Sequence, residues 1–245
     1  MNNIQEFYHV LEVEKGSKED SSFAQVLAQL IPTPGGRLLD IGCLDGAKTV
    51  LIQDVLDCDE VYGIDFLPSS LAEAERQGIR TACVDLNHDL PLSFPDDHFD
   101  MIFCGEVIEH VFSPDELMDE IARLLKPGGY ALITTPNLAS WKNRLVFLFG
   151  WQPFYTEVST RARFGNPLAP PGLPSGHIRM FVPRALKELA EASGLHVEVV
   201  DGLFFPNPTG QFIVGGISNK IDTLMARHWP TLADRTMLRL RKAKG

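Results

Sequence analysis

Short apolar runs recur along the first half of the chain, at residues 38–41, 61–64, 79–84, 99–104 and 130–135. Runs of this length are typical of strands that are buried on both faces. Between them, apolar residues with helical spacing predict helices over residues 47–56, 71–77 and 114–125, the last one closed by the KPGG turn at residues 126–129. Strands that alternate with helices predict an α/β fold with a doubly wound, mostly parallel sheet.

The two ends of the chain extend this pattern. Ser21 and Ser22 can cap a helix that runs to about Ile31. After residue 176 we expect a helix over residues 183–192, a strand over 195–200, a helical tail over 217–232 and a last strand over 236–241. We expect that last strand to pair antiparallel at the end of the sheet. The prediction is thus a Rossmann-like sheet of seven strands with helices on both faces.

An aromatic-rich segment, residues 137–176, interrupts the alternation after the fifth strand. Long insertions in compact domains are often functional loops, so this segment is either a lid over a bound substrate or a helical hairpin packed on the domain. We therefore divide one domain, residues 1–245, into four parts. These are an N-terminal helical segment (1–34), a ligand-binding core (35–136), the insertion (137–176) and a C-terminal part of the fold (177–245).

Composition excludes several classes of protein. The chain has 245 residues, 44% of them hydrophobic and 22% charged, which is usual for a globular protein. A net charge of −10 argues against a nucleic acid as the main partner. We see neither a secretory signal nor an apolar run of about 18 residues, so we expect no stable membrane insertion. The cysteines show no C-x-x-C spacing, and we expect a reducing cytoplasm; they are Cys43, Cys58, Cys83 and Cys104.

The loop after the first strand is the strongest candidate for a ligand site. It reads RLLDIGCLDG over residues 37–46, and Gly42 and Gly46 free its backbone to turn tightly. A dinucleotide loop, G-x-G-x-x-G, would have glycines where this chain has Leu44 and Ala47, and a phosphate-binding P-loop would end in Gly-Lys-Ser/Thr. A ligand without phosphates therefore fits better.

Three segments carry a resemblance to a known family. The loop resembles motif I of class I S-adenosylmethionine-dependent methyltransferases, acidic-x-Gly-x-Gly-x-Gly: Asp40, Gly42 and Gly46 match, and Leu44 replaces the middle glycine. FDMIFCGEVIEHV (residues 99–111) is similar to motif IV, and KPGG followed by YALITTPN (residues 126–137) resembles the pattern around the fifth strand. The resemblance is strong over residues 38–137 and weak over 177–200.

The resemblance implies S-adenosylmethionine as the cofactor. Asp65, at the end of the second strand, would bind both ribose hydroxyls, whereas its alternative is a helix N-cap. Asp85 would accept from the adenine amine while Leu86 covers the ring, whereas the alternative for Asp85 is a turn aspartate. The other expected cofactor contacts lie at or beside the strand ends and are Asp40, Gly42, Cys43, Gly46, Phe66, Cys104 and Glu106.

The reaction that the resemblance implies is methyl transfer to a small-molecule, lipid-linked or glycan-linked acceptor, and we favour oxygen as the acceptor atom. An oxygen nucleophile benefits from a general base, and His110 and His177 are the candidates; either could instead be a packed or capping residue. Glu106, Glu109 and His110 form E-x-x-E-H, which resembles a metal-binding triplet of ubiquinone-pathway O-methyltransferases. The same letters occur widely in metal-independent relatives, so we expect no metal.

Three other functions stay open at this point. A nicotinamide-dependent oxidoreductase would share the fold, but Leu44 and Ala47 disfavour it. A non-catalytic cofactor-binding or scaffold protein is compatible with Leu44 if that side chain narrows the site. A protein or RNA methyltransferase is a rival within the class, and for RNA the net charge argues against it. The sequence does not indicate the oligomeric state.

Overall fold

The computed structural model describes Phe23 and residues 26–169, 172–204 and 215–244. Within these residues the strands are β1 (Arg37–Ile41), β2 (Glu60–Asp65), β3 (Arg80–Cys83), β4 (Phe99–Gly105), β5 (Leu125–Pro136), β6 (Leu195–Leu203) and β7 (Arg235–Lys242). The helices are α1 (Ala47–Leu56), α2 (Pro68–Arg76), α3 (Pro114–Leu124), α4 (Trp141–Leu148), α5 (Pro183–Ala192) and α6 (Gly215–His228). Single 3-10 turns lie at Ile108–His110 and Pro230–Leu232.

All seven strands form one sheet in the order β3-β2-β1-β4-β5-β7-β6. The first five strands pair in parallel, and β7 pairs antiparallel with both β5 and β6. The strand order reverses between β1 and β4, so the loops that follow these two strands meet at the sheet's switch point, where α/β proteins bind ligands. The predicted fold class is therefore confirmed.

The central strands are buried on both faces because successive side chains point to opposite sides of the sheet. Leu39 and Ile41 pack with α3 on one side, in a cluster that includes Leu117. Leu38 packs on the other side with Ile52 of α1. All five side chains are fully buried. This rigid double-sided core fixes the strand ends on which the site is built.

Three predictions about individual elements were wrong: the position of one strand in the sheet, the KPGG turn and the end of the tail helix. β7 lies one strand inside the edge, between β5 and β6, because its apolar residues Met237, Leu238 and Leu240 require burial on both faces. The KPGG segment lies within β5 and does not form a separate turn after the helix: Gly129 passes so close to β4 that a Cβ there would stand 3.1 Å from the Asp100 carbonyl oxygen. The predicted tail helix ends at His228, because Pro230 cannot continue it.

The N-terminal helix predicted for residues 21–31 falls partly outside the described residues. Phe23, Val26 and Leu27 are helical, and the helix ends in a turn at residues 28–29. Phe23 and Val26 are buried in the cluster that contains Ile52. The described part of this segment therefore covers one face of the sheet.

The insertion contains one helix and no helical hairpin within its described part. That helix is α4, and residues 149–169 and 172–176 form turns and irregular chain. Asn137, at the start of the insertion, is fully buried and donates from Nδ2 to the carbonyls of Thr231 and Ala233. The hairpin alternative was wrong, and the insertion leaves the sheet through a fixed, hydrogen-bonded point.

Candidate functional site

The loop between β1 and α1 packs so closely that its glycines cannot be replaced. Gly42 and Gly46 have φ angles of 79° and 82°, in the left-handed region that favours glycine. A Cβ at Gly42 would stand 2.4 Å from Val107 Cγ2, and one at Gly46 would stand 2.4 Å from Ile79 Cδ1. Leu44, at the middle position of the motif, also adopts a left-handed conformation, with φ of 49°. The loop therefore keeps its tight course although Leu44 replaces the middle glycine of the motif.

Asp40 lies buried beneath this loop. Its Oδ2 accepts a hydrogen bond of 2.6 Å from the Thr49 hydroxyl on α1. Burial raises the pKa of the Asp40 carboxyl to about 7, although the Thr49 hydrogen bond opposes this shift. The Asp40 carboxyl thus ties α1 to β1 and resists ionisation.

Replacing Asp40 with asparagine should change how stability depends on pH. The pKa of the Asp40 carboxyl is about 7 in the folded protein, above its ordinary value, so its stabilising contribution is full at low pH and is lost as pH rises towards 7. Between about pH 4 and pH 8, we expect the free energy of unfolding of Asp40→Asn, relative to the natural chain, to gain more than about 1.4 kcal/mol. Urea unfolding without cofactor measures this, and Asp54→Asn, at an exposed carboxyl on α1, is the control. An equal gain in both variants would contradict the assignment.

Asp65 joins the loops that follow β1 and β2. Its Oδ2 accepts from the Leu44 N–H at 3.1 Å, and its Oδ1 accepts from the Leu67 N–H at 2.9 Å. The second bond closes a turn just before α2, but the N-cap residue of α2 is Leu67, without a side-chain cap, so Asp65 is not the helix N-cap of the alternative. Each carboxylate oxygen can accept more than one hydrogen bond, so this turn leaves room for a ligand's hydroxyls.

The other predicted contacts divide into buried and exposed positions. Cys43 and Cys104 are buried, and burial raises the pKa of both thiols. Asp85 is exposed: its Oδ1 accepts from the Asn87 N–H at 2.9 Å, and its Oδ2 lies 3.0 Å from His88 Nδ1, which are contacts of a turn aspartate. Phe66 and Leu86 are half-buried beside these strand ends. The adenine contact predicted for Asp85 stays a prediction.

Glu106 follows β4 in a left-handed conformation with φ of 57°. Its Oε2 lies 2.7 Å from Nε of Arg235, at the start of β7, whereas its buried Oε1 has no hydrogen-bond partner among the described residues. The Arg235 guanidinium stacks 4.6 Å from the centre of the Tyr155 ring and lies 2.8 Å from Asp234 Oδ2. A cation thus holds one carboxylate oxygen of Glu106, and the other oxygen is buried without a hydrogen-bond donor among the described residues.

His110 and His177 lie side by side, although 66 residues separate them along the chain. His110 lies in the 3-10 turn after β4, and His177 follows the insertion. Their ring centres are 4.8 Å apart. Nδ1 of His110 lies 3.1 Å from the Gly176 carbonyl oxygen, and Nδ1 of His177 lies 3.0 Å from that of Tyr155. A carbonyl oxygen only accepts, so each Nδ1 carries the proton, and each neutral ring keeps a lone pair on Nε2. Burial lowers the pKa of both, that of His177 to about 3.

Glu109 lies fully buried behind the two histidines. Its Oε2 accepts from the Thr135 hydroxyl at 2.9 Å, and its Oε1 lies 4.0 Å from His177 Nε2. Burial, reinforced by the charge of Glu106, raises the pKa of the Glu109 carboxyl well above its ordinary value. Glu109, His110 and His177 offer ligand atoms within 4.8 Å of one another, a set that could hold a metal ion. This set differs from the predicted triplet, because Glu106 turns to Arg235.

The segment that carries His177 is held by Glu157, from the middle of the insertion. The Glu157 carboxylate accepts from the backbone N–H groups of Ser175, Gly176 and His177, the latter two at 2.8 and 3.2 Å. The same segment supplies the Gly176 carbonyl that orients His110. One carboxylate therefore sets the position of both imidazoles.

Replacing Glu157 with alanine should slow the reaction more than it weakens cofactor binding. Without the carboxylate, three N–H groups lose their acceptor and both histidines lose their fixed orientation. We expect kcat to fall about tenfold, the cost of a modest loss of positioning. Glu157→Gln, which keeps one carbonyl acceptor, should recover part of that loss. Steady-state kinetics and calorimetric titration with S-adenosylmethionine separate the two effects, and an equal loss in both would contradict the positioning role.

Sequence reasoning missed Arg235, Tyr155 and Glu157. Arg235 follows a helical tail, and only the insertion of β7 beside β5 brings it to Glu106. Tyr155 and Glu157 lie in irregular chain that has no periodic signal. Only the aromatic character of the insertion pointed to this region.

Comparison with known proteins assigns the chain to a protein family. Residues 17–200 match a family described as "Methyltransferase domain". This chain belongs to the class I S-adenosylmethionine-dependent methyltransferases. S-adenosylmethionine is therefore its methyl donor, as the resemblance to this family implied. Among the described residues, no helix combines the length and apolar character needed to cross a bilayer.

Named relatives are moderately similar to this methyltransferase. A ubiquinone biosynthesis O-methyltransferase of Aeromonas salmonicida is 28% identical over 74% of this chain and 71% of its own length. A probable S-adenosylmethionine-dependent methyltransferase of Mycolicibacterium smegmatis is 31% identical over 69% of this chain and 56% of its own length. A putative methyltransferase structure solved with the Haloferax volcanii Trm112 activator shares the fold, with a TM-score of 0.65 at 18% identity, covering 91% of this chain and 89% of that one.

Proposed function

We propose that this methyltransferase transfers its methyl group to a hydroxyl oxygen of a small-molecule, lipid-linked or glycan-linked acceptor, with His110 as the general base. The observation that carries the proposal is the pair of neutral imidazoles, each held by a carbonyl at Nδ1 and each left with a free lone pair at Nε2. A hydroxyl must lose its proton as it attacks the methyl carbon, and such a lone pair can accept that proton. The names of relatives that specify O-methylation agree with this chemistry.

His110 is a better base than His177. A catalytic base works best when its pKa lies near the working pH. The pKa of His177 is lowered to about 3, by burial first and by His110 second, so His177 binds a proton weakly. His177 instead contributes a neutral polar wall beside His110, held by Glu157 and Tyr155.

The residues at the switch point fit the cofactor. Gly42 and Gly46 keep the loop close to the strand ends, and Asp65 would accept the ribose hydroxyls. The unpartnered Oε1 of Glu106 suits the positively charged amino group of the cofactor's methionine part, since a buried carboxylate oxygen without a donor is costly. When bound, the cofactor supplies a methyl group on a positively charged sulfonium, which leaves as a neutral thioether when the methyl group is transferred.

Product analysis with paired acceptors tests the acceptor atom. The protein is incubated with S-adenosylmethionine and a panel of phenols, sugars and polyprenyl-linked hydroxyl compounds, each beside its amine analogue. We expect S-adenosylhomocysteine release and a methyl ether from hydroxyl acceptors only. Methylation of the amine analogues, or of carbon, would contradict the oxygen assignment. Cofactor binding without turnover on any acceptor would favour the non-catalytic alternative.

The same assay separates the metal alternative from base catalysis. The cluster of Glu109, His110 and His177 could bind a divalent cation, and then a chelator would abolish turnover. We expect activity to persist after dialysis against EDTA, because the tautomers fixed by Gly176 and Tyr155 already leave His110 able to accept a proton.

A further inference from the structure

The outer face of α4 and the loop after it is apolar and exposed. We call this surface the apolar face; it consists of Leu145, Phe147, Leu148, Phe149 and Phe164, with exposed fractions of 43%, 57%, 82%, 61% and 60%. Three consecutive exposed apolar residues, at 147–149, are unusual on a surface that faces water. Contiguous apolar patches of this kind are typical of sites that bind a protein or a membrane.

The apolar face is one surface, because contacts join its two segments. The Phe149 ring stacks on Trp151, with ring centres 5.0 Å apart. The next residue, Gln152, donates its N–H to the Gly165 carbonyl at 2.8 Å, which brings the chain beside Phe164 close to the chain beside Trp151. The backbone next to Phe164 thus lies against the loop that follows α4.

The inner face of α4 is firmly attached to the body of the protein. Trp141 Nε1 donates to Asp222 Oδ1 on α6 at 2.7 Å, and Lys142 Nζ lies 2.7 Å from Asp222 Oδ2. Asn143 Oδ1 accepts from the Phe154 N–H at 2.7 Å. Trp141, Lys142 and Asn143 therefore have fixed partners in the body of the protein, and the apolar face lies on the outside of α4.

Charge distinguishes this region from the rest of the chain. The insertion, residues 137–176, contains four basic residues and one acidic residue, Glu157, although the whole chain has 22 basic and 32 acidic residues. One of the four, Lys142, is paired with Asp222 on α6. Arg144, Arg161 and Arg163 are exposed within the insertion. The apolar face of this acidic protein thus belongs to an insertion with three exposed arginines, a combination that complements a partner with negative charges on its surface and an apolar interior.

We propose that the apolar face docks on the surface of a bilayer containing anionic lipids. Aromatic and aliphatic side chains beside arginines are the composition with which interfacial helices enter the headgroup region. The insertion that carries this face also supplies Tyr155, Glu157 and His177 to the site. Docking would bring the site to the membrane surface. This inference goes beyond the proposed acceptor atom and does not depend on it.

Vesicle co-sedimentation tests the proposal without cofactor or acceptor. We expect the protein to sediment with vesicles of phosphatidylcholine and phosphatidylglycerol at least about fivefold more strongly than with phosphatidylcholine alone, and high salt should reduce this difference. Phe147→Ser combined with Leu148→Ser and Phe149→Ser should lower the partition coefficient more than about tenfold. The control combines Leu51→Ser, Val55→Ser and Leu224→Ser, at exposed apolar positions elsewhere, and should bind as the natural chain does.

Two results would overturn the proposal. One is equal sedimentation of the triple variant and its control, or no sedimentation of the natural chain with anionic vesicles. The other is that the natural chain forms a dimer in light scattering and the triple variant is a monomer. A second copy of the chain, rather than a bilayer, would then cover the apolar face. If the triple variant does not fold, as judged by circular dichroism, Arg144→Gln with Arg161→Gln takes its place and must lose the preference for anionic vesicles.

Discussion

His110→Gln is expected to lower kcat by about 10²–10⁴-fold, the usual contribution of a general base. Glutamine can still donate its side-chain N–H to the Gly176 carbonyl, so the 175–177 segment should stay in place. What is lost is a lone pair that can accept a proton from a hydroxyl. Because His110 is not among the groups predicted to hold the cofactor, calorimetric titration should give a Kd for S-adenosylmethionine within about twofold of the natural value.

Two controls separate base catalysis from a general disturbance of the site. His196→Gln, at an exposed position on β6, should leave kcat unchanged. His177→Gln should cost about tenfold or less, because the low pKa of His177 makes it a weak base. Burial lowers the pKa of His110, so the acidic limb of the pH-rate profile should lie below the ordinary histidine range. Equal losses in His110→Gln and His177→Gln would contradict the assignment.

The parts of the fold that the sequence predicted are those governed by local periodicity. The central parallel strands can be recognised in the sequence because both of their faces are buried and most of their residues are apolar, as at Leu38, Leu39 and Ile41. The strand-end acids could be predicted for the same reason: Asp40 and Asp65 directly follow or interrupt such runs. Chemistry that depends on adjacent strand ends can therefore be predicted from the amino-acid sequence alone.

The unpredicted parts depend on contacts between distant segments. No local pattern shows that β7 enters between β5 and β6, and with it comes Arg235, which decides how Glu106 is used. Spacing alone placed Glu106, Glu109 and His110 on one side of a turn. The left-handed conformation of Glu106 instead turns its carboxylate to Arg235, and His177 takes its place beside Glu109. The ion pair with Arg235, which sequence spacing does not predict, holds Glu106 apart from the cluster of Glu109, His110 and His177.

The insertion links the site to the outer surface through short, fixed connections. Glu157 holds the 175–177 segment, and Asn143 holds Phe154 next to Tyr155, whose carbonyl orients His177. α4 lies between these contacts and the apolar face. A partner bound to this face would therefore contact the same segment whose hydrogen bonds position the two histidines, and the proposed docking and the proposed catalysis would be coupled through it.

Asp65→Ala is expected to raise the Kd for S-adenosylmethionine about 10²–10⁴-fold. Two hydrogen bonds from ribose hydroxyls to a buried carboxylate would be lost, and bonds to charged groups contribute roughly 1.5–3 kcal/mol each. The Leu44 and Leu67 N–H groups would also lose their acceptor, which loosens the loop after β1. Asp65→Asn keeps one carbonyl acceptor and should give an intermediate Kd. Asp54→Ala removes the same charge from an exposed position on α1 and serves as the control in calorimetric titration. If Asp65→Ala bound as tightly as Asp54→Ala, Asp65 would be only a turn residue before α2, and the ribose contact would lie elsewhere.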